Sequence, residues 1–342
     1  MADIVTIGLD IAKSVFQVHG VDAAGQVIVR RQLRRSHVLK FFAGLAPCIV
    51  GVEACATSHY WSRELQALGH SVKLMPPSYV KPYVKRQKND MADAEAICEA
   101  VTRPTMRFVE TKTPEQQSVL MLHRIRLTLV SQRTMLSNTI RAHMAEFGIV
   151  APIGRNGLDQ LLAVLSDLDD QRVPALARDC LVAVAEQLLL VKDKILDMDR
   201  RITACHRTSE MSRRLAEIPG IGPLVATALV ATVPDPRAFA SARNFAAWIG
   251  LVPKQNSSGG KERLGGITKQ GNRYLRSMLT VGALAVIRYA ERHGTRRPWI
   301  VKLLARRPTR VAAVALANKM ARMAWAIMAK GERYREPVLA AA

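Results

Sequence analysis

Short apolar strand patterns alternate with amphipathic helix patterns over the first 75 residues of the chain. Residues 4–9, 15–21 and 27–29 are apolar or alternating, and residues 22–25 form a turn signal, which together predict a three-stranded meander. Helix and strand patterns then follow in turn at residues 36–44, 49–52, 58–68 and 72–74. Strands that alternate with helices indicate an α/β sheet, so we expect residues 1–112 to form one α/β domain.

A heptad pattern marks the middle of the chain, which is predicted to be helical from about Thr113. Apolar residues recur at spacings of three and four at Leu181, Val184, Leu188, Val191, Ile195, Met198 and Ile202. An antiparallel partner helix is suggested by Leu122, Ile125, Leu129, Leu136 and Ile140. The spacing fits a coiled coil, and equally an amphipathic helix packed within its own domain. We expect a helical coiled-coil region at residues 113–210, with the second interpretation open.

The remaining residues, 211–342, are predicted to be mainly helical, with one glycine-rich interruption at residues 250–271. The whole chain has a formal charge of +22 and a pI of about 10.4. From residue 211 onward, 23 Lys and Arg stand against 6 Asp and Glu. Cations favour binding to nucleic acid because neutralised phosphates release counterions. The charge therefore predicts a nucleic-acid partner, with an acidic membrane surface as the weaker alternative, and of the nucleic acids we expect double-stranded DNA.

The five cysteines include no CxxC pair, so we expect reduced thiols in a cytosolic protein and no zinc site. No apolar run reaches the roughly 18 residues that span a membrane, and no secretory signal is visible at the start of the chain. We therefore expect a cytoplasmic protein without a membrane partner.

Four carboxylates are placed where strands end or helices begin: Asp10, Glu53, Asp90 and Asp93. If their two strands are neighbours in one sheet, Asp10 and Glu53 converge, and Asp90 and Asp93 share one helix face. Hard oxygen ligands of this kind bind Mg²⁺. Taken singly, Asp10 also fits a turn, Glu53 an exposed strand end and Asp90 an N-cap. Taken together, the four predict a metal site.

Residues 215–226 resemble a helix-hairpin-helix, with the hairpin at residues 219–222. The backbone N–H groups at Gly220 and Gly222 are suited to a DNA phosphate at a helix N-terminus. A tight helix–helix turn that contacts no ligand is the alternative.

A run of small residues, Ser257-Ser258-Gly259-Gly260, lies in the most basic part of the chain, and we call it the serine loop. A serine hydroxyl becomes a nucleophile when a base or metal activates it. Nearby cations suited to a phosphoryl transition state are Lys261, Arg263, Lys269, Arg273 and Arg276. The alternative is a loop that contacts phosphate without chemistry.

The ordered set of motifs resembles one family, the DEDD-type insertion-sequence transposases, related to the pilin-gene inverting recombinase Piv. The matching segments are Gly8-Leu-Asp10-Ile-Ala-Lys13, Val52-Glu53-Ala54, Lys88-Asn-Asp90-Met-Ala-Asp93-Ala94, Ile218-Pro-Gly-Ile-Gly222, Ser258-Gly259 and Thr268-Lys269-Gln-Gly271. The resemblance covers nearly the whole chain. One departure is Cys55-Ala56-Thr57, where a Thr-Gly pair commonly follows the glutamate.

The resemblance implies a RuvC-like (ribonuclease H-like) α/β domain, a coiled-coil arm and a C-terminal helical transposase domain. It implies that Asp10, Glu53, Asp90 and Asp93 bind Mg²⁺ and that Ser258 becomes covalently linked to DNA, with Ser257 in that role if the loop register shifts by one. It also implies a structured noncoding RNA as guide, a dimer or tetramer in which acidic and serine sites can come from different subunits, and a bacterial protein associated with the nucleoid.

We therefore expect a Mg²⁺-dependent DNA recombinase that excises and inserts its own mobile element with a serine nucleophile. One rival is a metal-only nuclease, similar to a Holliday-junction resolvase, in which water attacks. The other is a non-catalytic DNA-binding protein built on the hairpin and the basic helices.

Overall fold

The computed structural model describes residues 3–85, 89–294 and 298–335. The chain divides into two compact units, Met1–Pro114 and Glu115–Ala342, and each has its own buried hydrophobic clusters. Lys88, which opens one of the predicted acidic motifs, lies outside the described residues.

A five-stranded mixed sheet forms the centre of the first unit. Its elements, in chain order, are β1 (Thr6–Ile11), β2 (Val15–Val21), β3 (Val27–Arg34), α1 (Val38–Ala43), β4 (Ile49–Glu53), α2 (Ser58–Ala67), β5 (Ser71–Met75), α3 (Pro77–Val80) and α4 (Asp90–Val101). The strand order is β3-β2-β1-β4-β5, in which β1, β2 and β3 form an antiparallel meander and β4 and β5 continue the sheet in parallel. The predicted α/β domain with a central sheet is confirmed, and the strand order is compatible with a RuvC-like fold.

The two faces of this sheet are covered in different ways. Side chains alternate between the faces of a strand. Ile7 and Leu9 therefore point to one face, where they are fully buried in a cluster with Trp61 of α2. Helix α4 covers the opposite face, where β1 and β4 present Gly8 and Gly51 to it: a Cβ on Gly51 would lie 2.8 Å from Cβ of Val101. The missing side chains allow α4 to approach the strand backbone closely.

The second unit is helical except for one hairpin, within the part of it that the structure describes. Its elements are α5 (Pro114–Ala145), α6 (Arg155–Ser166), α7 (Ala175–Thr208), α8 (Glu210–Leu215), α9 (Pro223–Thr232), α10 (Ala242–Ile249), β6 (Pro253–Gln255), β7 (Leu264–Ile267), α11 (Arg273–His293), α12 (Pro298–Leu304) and α13 (Thr309–Lys330). The prediction of a mainly helical C-terminal region is confirmed.

The heptad residues of α7 face other helices of the same unit. One buried cluster contains Leu136, Ile140, Leu181, Leu188, Val191 and Ile195, together with residues of α6. Arg126, in the first half of α5, donates a hydrogen bond at 2.5 Å to Asp199, which lies towards the end of α7. Helices α5 and α7 therefore pack against one another in antiparallel fashion. That they supercoil as a coiled coil remains a prediction.

Helix α13 lies at the centre of the C-terminal cluster. It is long and apolar enough, by length and composition alone, to cross a membrane. Its Ala313, Ala317, Ala321 and Ala324 are fully buried in a cluster with residues of α10 and α11. Small side chains at spacings of three and four give the helix a narrow face that neighbouring helices can approach closely. The apolar composition of α13 is thus accounted for by core packing.

Two short strands occupy the glycine-rich interruption, for which the sequence predicted only a loop. β6 and β7 pair antiparallel through Pro253 with Ile267 and Gln255 with Leu264. Proline in β6 and two glycines in β7 hide these strands from sequence analysis because both residue types are depleted in strands. The hairpin carries the serine loop at its tip.

Candidate active site: an acidic cluster and a serine loop

Two carboxylates come from neighbouring parallel strands. The register of β1 with β4 ends at Leu9 and Val52, so that the next residues are Asp10 and Glu53. Because side chains alternate along a strand, both carboxylates point to the sheet face that α4 covers. The sequence predicted that Asp10 follows its strand, which is wrong, because β1 continues through Ile11. Asp10 is therefore held inside a paired strand.

The other two carboxylates lie in the first turn of α4. The side-chain oxygen of Asn89 caps this helix by accepting a hydrogen bond from Ala92 N–H at 2.8 Å. The N-cap role considered for Asp90 therefore belongs to Asn89. Asp90 and Asp93 are three residues apart and share one face of the helix. The positive end of the helix dipole also favours acidic side chains there.

The structure brings three of the four predicted carboxylates together. Carboxylate oxygens of Asp10, Asp90 and Asp93 lie within 4.8 Å of one another, and Glu53 lies outside this group. Burial, followed by the charges of Asp93, Asp90 and Glu53, raises the pKa of Asp10 to about 6. Like charges held this closely repel each other, and a divalent cation relieves that repulsion. The hard oxygen donors of this cluster fit such a cation.

The predicted hairpin joins α8 to α9, and its two glycines serve different purposes. Gly220 has φ +90°, and a Cβ on it would lie 2.8 Å from the carbonyl oxygen of Gly282 in α11. Gly220 is thus required for close packing and for its backbone conformation. A Cβ on Gly222, the N-cap of α9, would meet nothing within 4 Å among the described residues. The N-terminus of α9 is therefore uncovered at this residue.

The serine loop forms a tight turn at the tip of the hairpin. Gly259 and Gly260 both have positive φ, 56° and 75°, and the N–H of Lys261 donates to the carbonyl oxygen of Ser258 at 3.1 Å. Two successive positive φ angles match the twist of a two-stranded hairpin and favour glycine at both positions. The turn therefore fixes Ser258 at its first position.

The two serine hydroxyls have different surroundings, although both residues are exposed. Oγ of Ser257 accepts a hydrogen bond from the backbone N–H of Arg263 at 3.1 Å, which ties it to the opposite side of the loop. The hydroxyl of Ser258 has no hydrogen-bond partner among the residues that the structure describes. Of the two, Ser258 presents the hydroxyl that is available to a ligand.

The basic residues around the loop also differ from one another. Those with exposed side chains are Lys261, Arg263, Lys269 and Arg273. Arg276 instead donates from Nη1 to the carbonyl oxygens of Ile249 and Gln270, at 2.7 Å and 2.8 Å. It connects the two ends of the glycine-rich segment, so it has a structural task beside its predicted contact with nucleic acid.

A buried polar network in the second unit was missed by sequence analysis. His123 of α5 lies 2.9 Å from the Tyr274 hydroxyl of α11 and 3.0 Å from the Thr227 hydroxyl of α9. It joins the long helix α5 to α9, which follows the turn at residues 219–222, and to α11, which follows the β6–β7 hairpin. Its partners are 104 and 151 residues away in the chain, so no local pattern reveals it.

Two family profiles match this chain, one in its N-terminal part and one in its C-terminal part. A profile of DEDD-type IS110 transposases, described as "Transposase", matches residues 7–149, and a profile described as "Transposase IS116/IS110/IS902 family" matches residues 212–297. The transposase for insertion sequence element IS1111A of Coxiella burnetii is 40% identical over 339 residues, which cover 98% of this chain and 92% of the relative. The chain belongs to the IS110 family of transposases.

Other transposase relatives match over similar lengths. The transposase for insertion sequence element IS1328 of Yersinia enterocolitica is 37% identical, with 97% of this chain and 98% of the relative covered. The y4pF/y4sB protein of Sinorhizobium fredii is 48% identical, with 97% of this chain and 86% of the relative covered. The predicted family is thereby confirmed, and with it the prediction that the protein is a DNA recombinase enzyme. The acidic cluster lies within the first matched profile. The turn at residues 219–222 and the serine loop lie within the second.

Proposed function

We propose that this IS110-family transposase cuts and rejoins the DNA of its own insertion sequence with a divalent cation, Mg²⁺, and a serine nucleophile. The observation that carries the proposal is the convergence of Asp10, Asp90 and Asp93 within 4.8 Å. Three carboxylates held this close on two different elements repel one another, and a bound divalent cation would relieve that repulsion. The architecture proposed for this function is the one expected from the sequence, with boundaries at 1–112, 113–210 and 211–342.

Asp10, Asp90 and Asp93 would hold the cation, with Glu53 as a fourth carboxylate at the end of β4. When bound, the ion supplies Lewis-acid stabilisation of charge on phosphate oxygens. The protein contributes rigidity: Asp10 is fixed by strand pairing, and the two α4 carboxylates are fixed by the Asn89 cap and by the close contact of α4 with the sheet.

Ser258 is proposed as the nucleophile, with Ser257 as the alternative. Oγ of Ser258 attacks the scissile phosphorus and forms a seryl phosphodiester, the bond from phosphorus to the leaving deoxyribose oxygen breaks, and that oxygen takes up the proton that the hydroxyl releases. Because one phosphodiester replaces another, the reverse reaction can rejoin a different strand end. The hydroxyl of Ser258 has no hydrogen-bond partner among the described residues, which supports this role. The hydroxyl oxygen of Ser257 instead accepts a hydrogen bond from the backbone N–H of Arg263.

Cations and backbone amides would position the DNA. Contacts with phosphates are proposed for Lys261, Arg263, Lys269, Arg273 and Arg276, and for the backbone at Gly220 and Gly222 in a helix-hairpin-helix. The exposure of the first four side chains and the open N-terminus of α9 support these contacts. They would be independent of base sequence, since they address the backbone.

Two further partners belong to the proposal. A structured noncoding guide RNA is inferred from the family resemblance and is accommodated by the charge of +22. A second copy of the chain is supported by an exposed apolar stripe on α7, in which Val182, Leu189 and Leu196 recur every seven residues and are 36%, 51% and 53% exposed. A dimer or tetramer built on α7 would provide the several active sites that strand exchange requires.

Denaturing gels test the proposed chemistry. Wild-type protein incubated with its element-end DNA, Mg²⁺ and any RNA cofactor should leave protein covalently attached to a cut strand. Ser258→Ala should abolish this product, and the neighbouring Ser257→Ala serves as the matched control that retains it. Cut DNA without attached protein, unchanged in Ser258→Ala, would instead favour the metal-only nuclease. Uncut DNA with every cofactor present would favour the non-catalytic binder.

A further inference from the structure

A wide groove lies beside the hairpin that carries the serine loop. Its volume is about 1270 Å³, and it runs between β7, Trp299 of α12 and the exposed face of α13. Sites for single small molecules occupy roughly 300–1,000 Å³, so this groove is large enough for a segment of a polymer. Gly265 and Gly266 form part of the β7 wall and leave it free of side chains.

The charge of the groove selects a polyanion. Its basic lining residues are Lys269, Arg310, Lys319, Arg322 and Lys330, and no acidic residue is among the described residues that line it. Lys330 lies 3.9 Å from Glu332, which offsets part of its charge. The other four cations come from the hairpin base and from three turns of α13, so they line more than one wall of the groove.

The floor of the groove is apolar and aromatic, which distinguishes it from a surface for duplex DNA. Val311 is 51% exposed and Trp299 is 38% exposed, and Nζ of Lys319 lies 5.0 Å from the centre of the Trp299 ring. A duplex keeps its bases stacked inside and offers phosphates to a protein surface. Unpaired bases instead stack on aromatic side chains while cations follow the backbone.

We infer that this groove binds an unpaired DNA strand, with bases against Trp299 and the apolar face of α13 and phosphates against Arg310, Lys319 and Arg322. The inference rests on the proposed function for its source of substrate: β7 forms a wall of the groove, and the same hairpin carries Ser258 at its tip. A recombinase that exchanges strands must separate them near the cut, and the groove is positioned to hold one.

Fluorescence anisotropy of the full chain with a labelled single-stranded DNA oligonucleotide tests the inference. Because an unpaired base stacks on the indole ring, Trp299→Ala should weaken single-strand binding by about tenfold, and Trp299→Phe should restore most of it. Arg310→Ala with Arg322→Ala should weaken binding and reduce its salt dependence by about two contacts. Each variant should change the affinity for the matching duplex by much less than its affinity for the single strand.

Two further variants separate local effects from general ones. Arg133→Ala with Arg200→Ala removes the same charge from exposed positions outside the groove and should leave the preference for single strands over duplex unchanged. Val311→Asp places an acid on the exposed floor without touching the buried face of α13, so it should block single-strand binding in a folded protein, as checked by thermal unfolding.

Three results would overturn the inference: single-strand binding that is unaffected by both Trp299→Ala and Val311→Asp, equal losses for single strand and duplex, or tighter binding of RNA of the same sequence with the same dependence on Trp299. The Ser258→Ala protein provides the link to the catalytic proposal, because it should bind the single strand as wild type does. Failure of the serine chemistry and failure of the groove therefore give separate signals.

Discussion

A Cβ atom on Gly8 would lie 2.1 Å from the carbonyl oxygen of Ala94, so β1 and α4 meet backbone to backbone two residues before Asp10. This contact brings the first turn of α4 to the end of the strand that carries Asp10. Gly8→Ala should therefore push α4 away and lower the unfolding free energy by about 1–3 kcal/mol, the usual cost of overpacking a core. Mg²⁺ should then stabilise the variant less than it stabilises wild type, as measured by thermal unfolding.

Gly44→Ala is the control for Gly8→Ala, since its Cβ would make only ordinary contacts, the nearest at 3.6 Å. Equal behaviour of the two variants would contradict the prediction.

The acidic cluster should trade stability for metal affinity. Asp10→Asn removes one of the charges that repel Asp90 and Asp93, so the metal-free variant should melt at a higher temperature than wild type. The same change replaces a charged ligand by a neutral amide, so the melting temperature should no longer rise when Mg²⁺ is added. Glu99→Gln, on the exposed side of α4 beside Arg103, should keep the Mg²⁺ response. A full Mg²⁺ response in Asp10→Asn would show that the cation binds elsewhere.

Gly220 and Gly222, in the turn between α8 and α9, should respond differently to the same substitution to alanine. Gly220→Ala needs a strained backbone at φ +90° and a Cβ 2.8 Å from the carbonyl oxygen of Gly282, so we expect a loss of about 2 kcal/mol or more in unfolding free energy. Gly222→Ala meets open space and should fold normally, but it places a methyl group at the N-terminus of α9 and should weaken duplex binding several-fold. Urea unfolding and DNA titration of both variants measure these effects. Normal duplex binding by Gly222→Ala would favour a turn without a ligand.

Much of the fold follows from local patterns, because each pattern reports the burial of its own element. The meander and the parallel strands were predicted within a few residues, since their apolar residues must face a core. Strand β3 is longer than its prediction, because residues 30–32 and Arg34 are exposed on an edge strand of the sheet and give no apolar signal. The hairpin β6–β7 escaped prediction both because its strands contain proline and glycine and because their residues are exposed or half-buried.

The candidate site could be predicted in composition but not in arrangement. Carboxylates at strand ends and helix starts indicate a metal site, but the close contact at Gly8 that unites them is a property of two backbones. The sequence could not separate Ser257 from Ser258, since the hydrogen bond from Arg263 depends on how the turn closes. The groove beside the hairpin combines residues from four segments, so only the folded chain shows it.

The buried His123 should make the stability of the second unit depend on pH. Thr227 donates to the carbonyl oxygen of Pro223 at 2.7 Å, so its oxygen accepts from Nε2–H of neutral His123, and Nδ1 accepts from the Tyr274 hydroxyl. Burial, followed by the charge of Arg126, lowers the pKa of His123 to about 4. The unfolded chain takes up this proton near pH 6.5, before the folded chain does, so the stabilisation is complete above pH 6.5 and is lost as the pH falls towards 4.

Replacing His123 by glutamine should remove this dependence, because the amide can donate to Thr227 and accept from Tyr274 but does not titrate in this range. As the pH falls from 7 to 4, wild type should lose about 3 kcal/mol of unfolding free energy relative to His123→Gln. Urea unfolding of both proteins at several pH values measures the difference, in which the titration of all shared carboxylates cancels. His143→Gln changes an exposed histidine on the same helix, and its curve should run parallel to that of wild type. If the His123→Gln curve is parallel as well, the buried imidazole does not remain neutral in the folded protein.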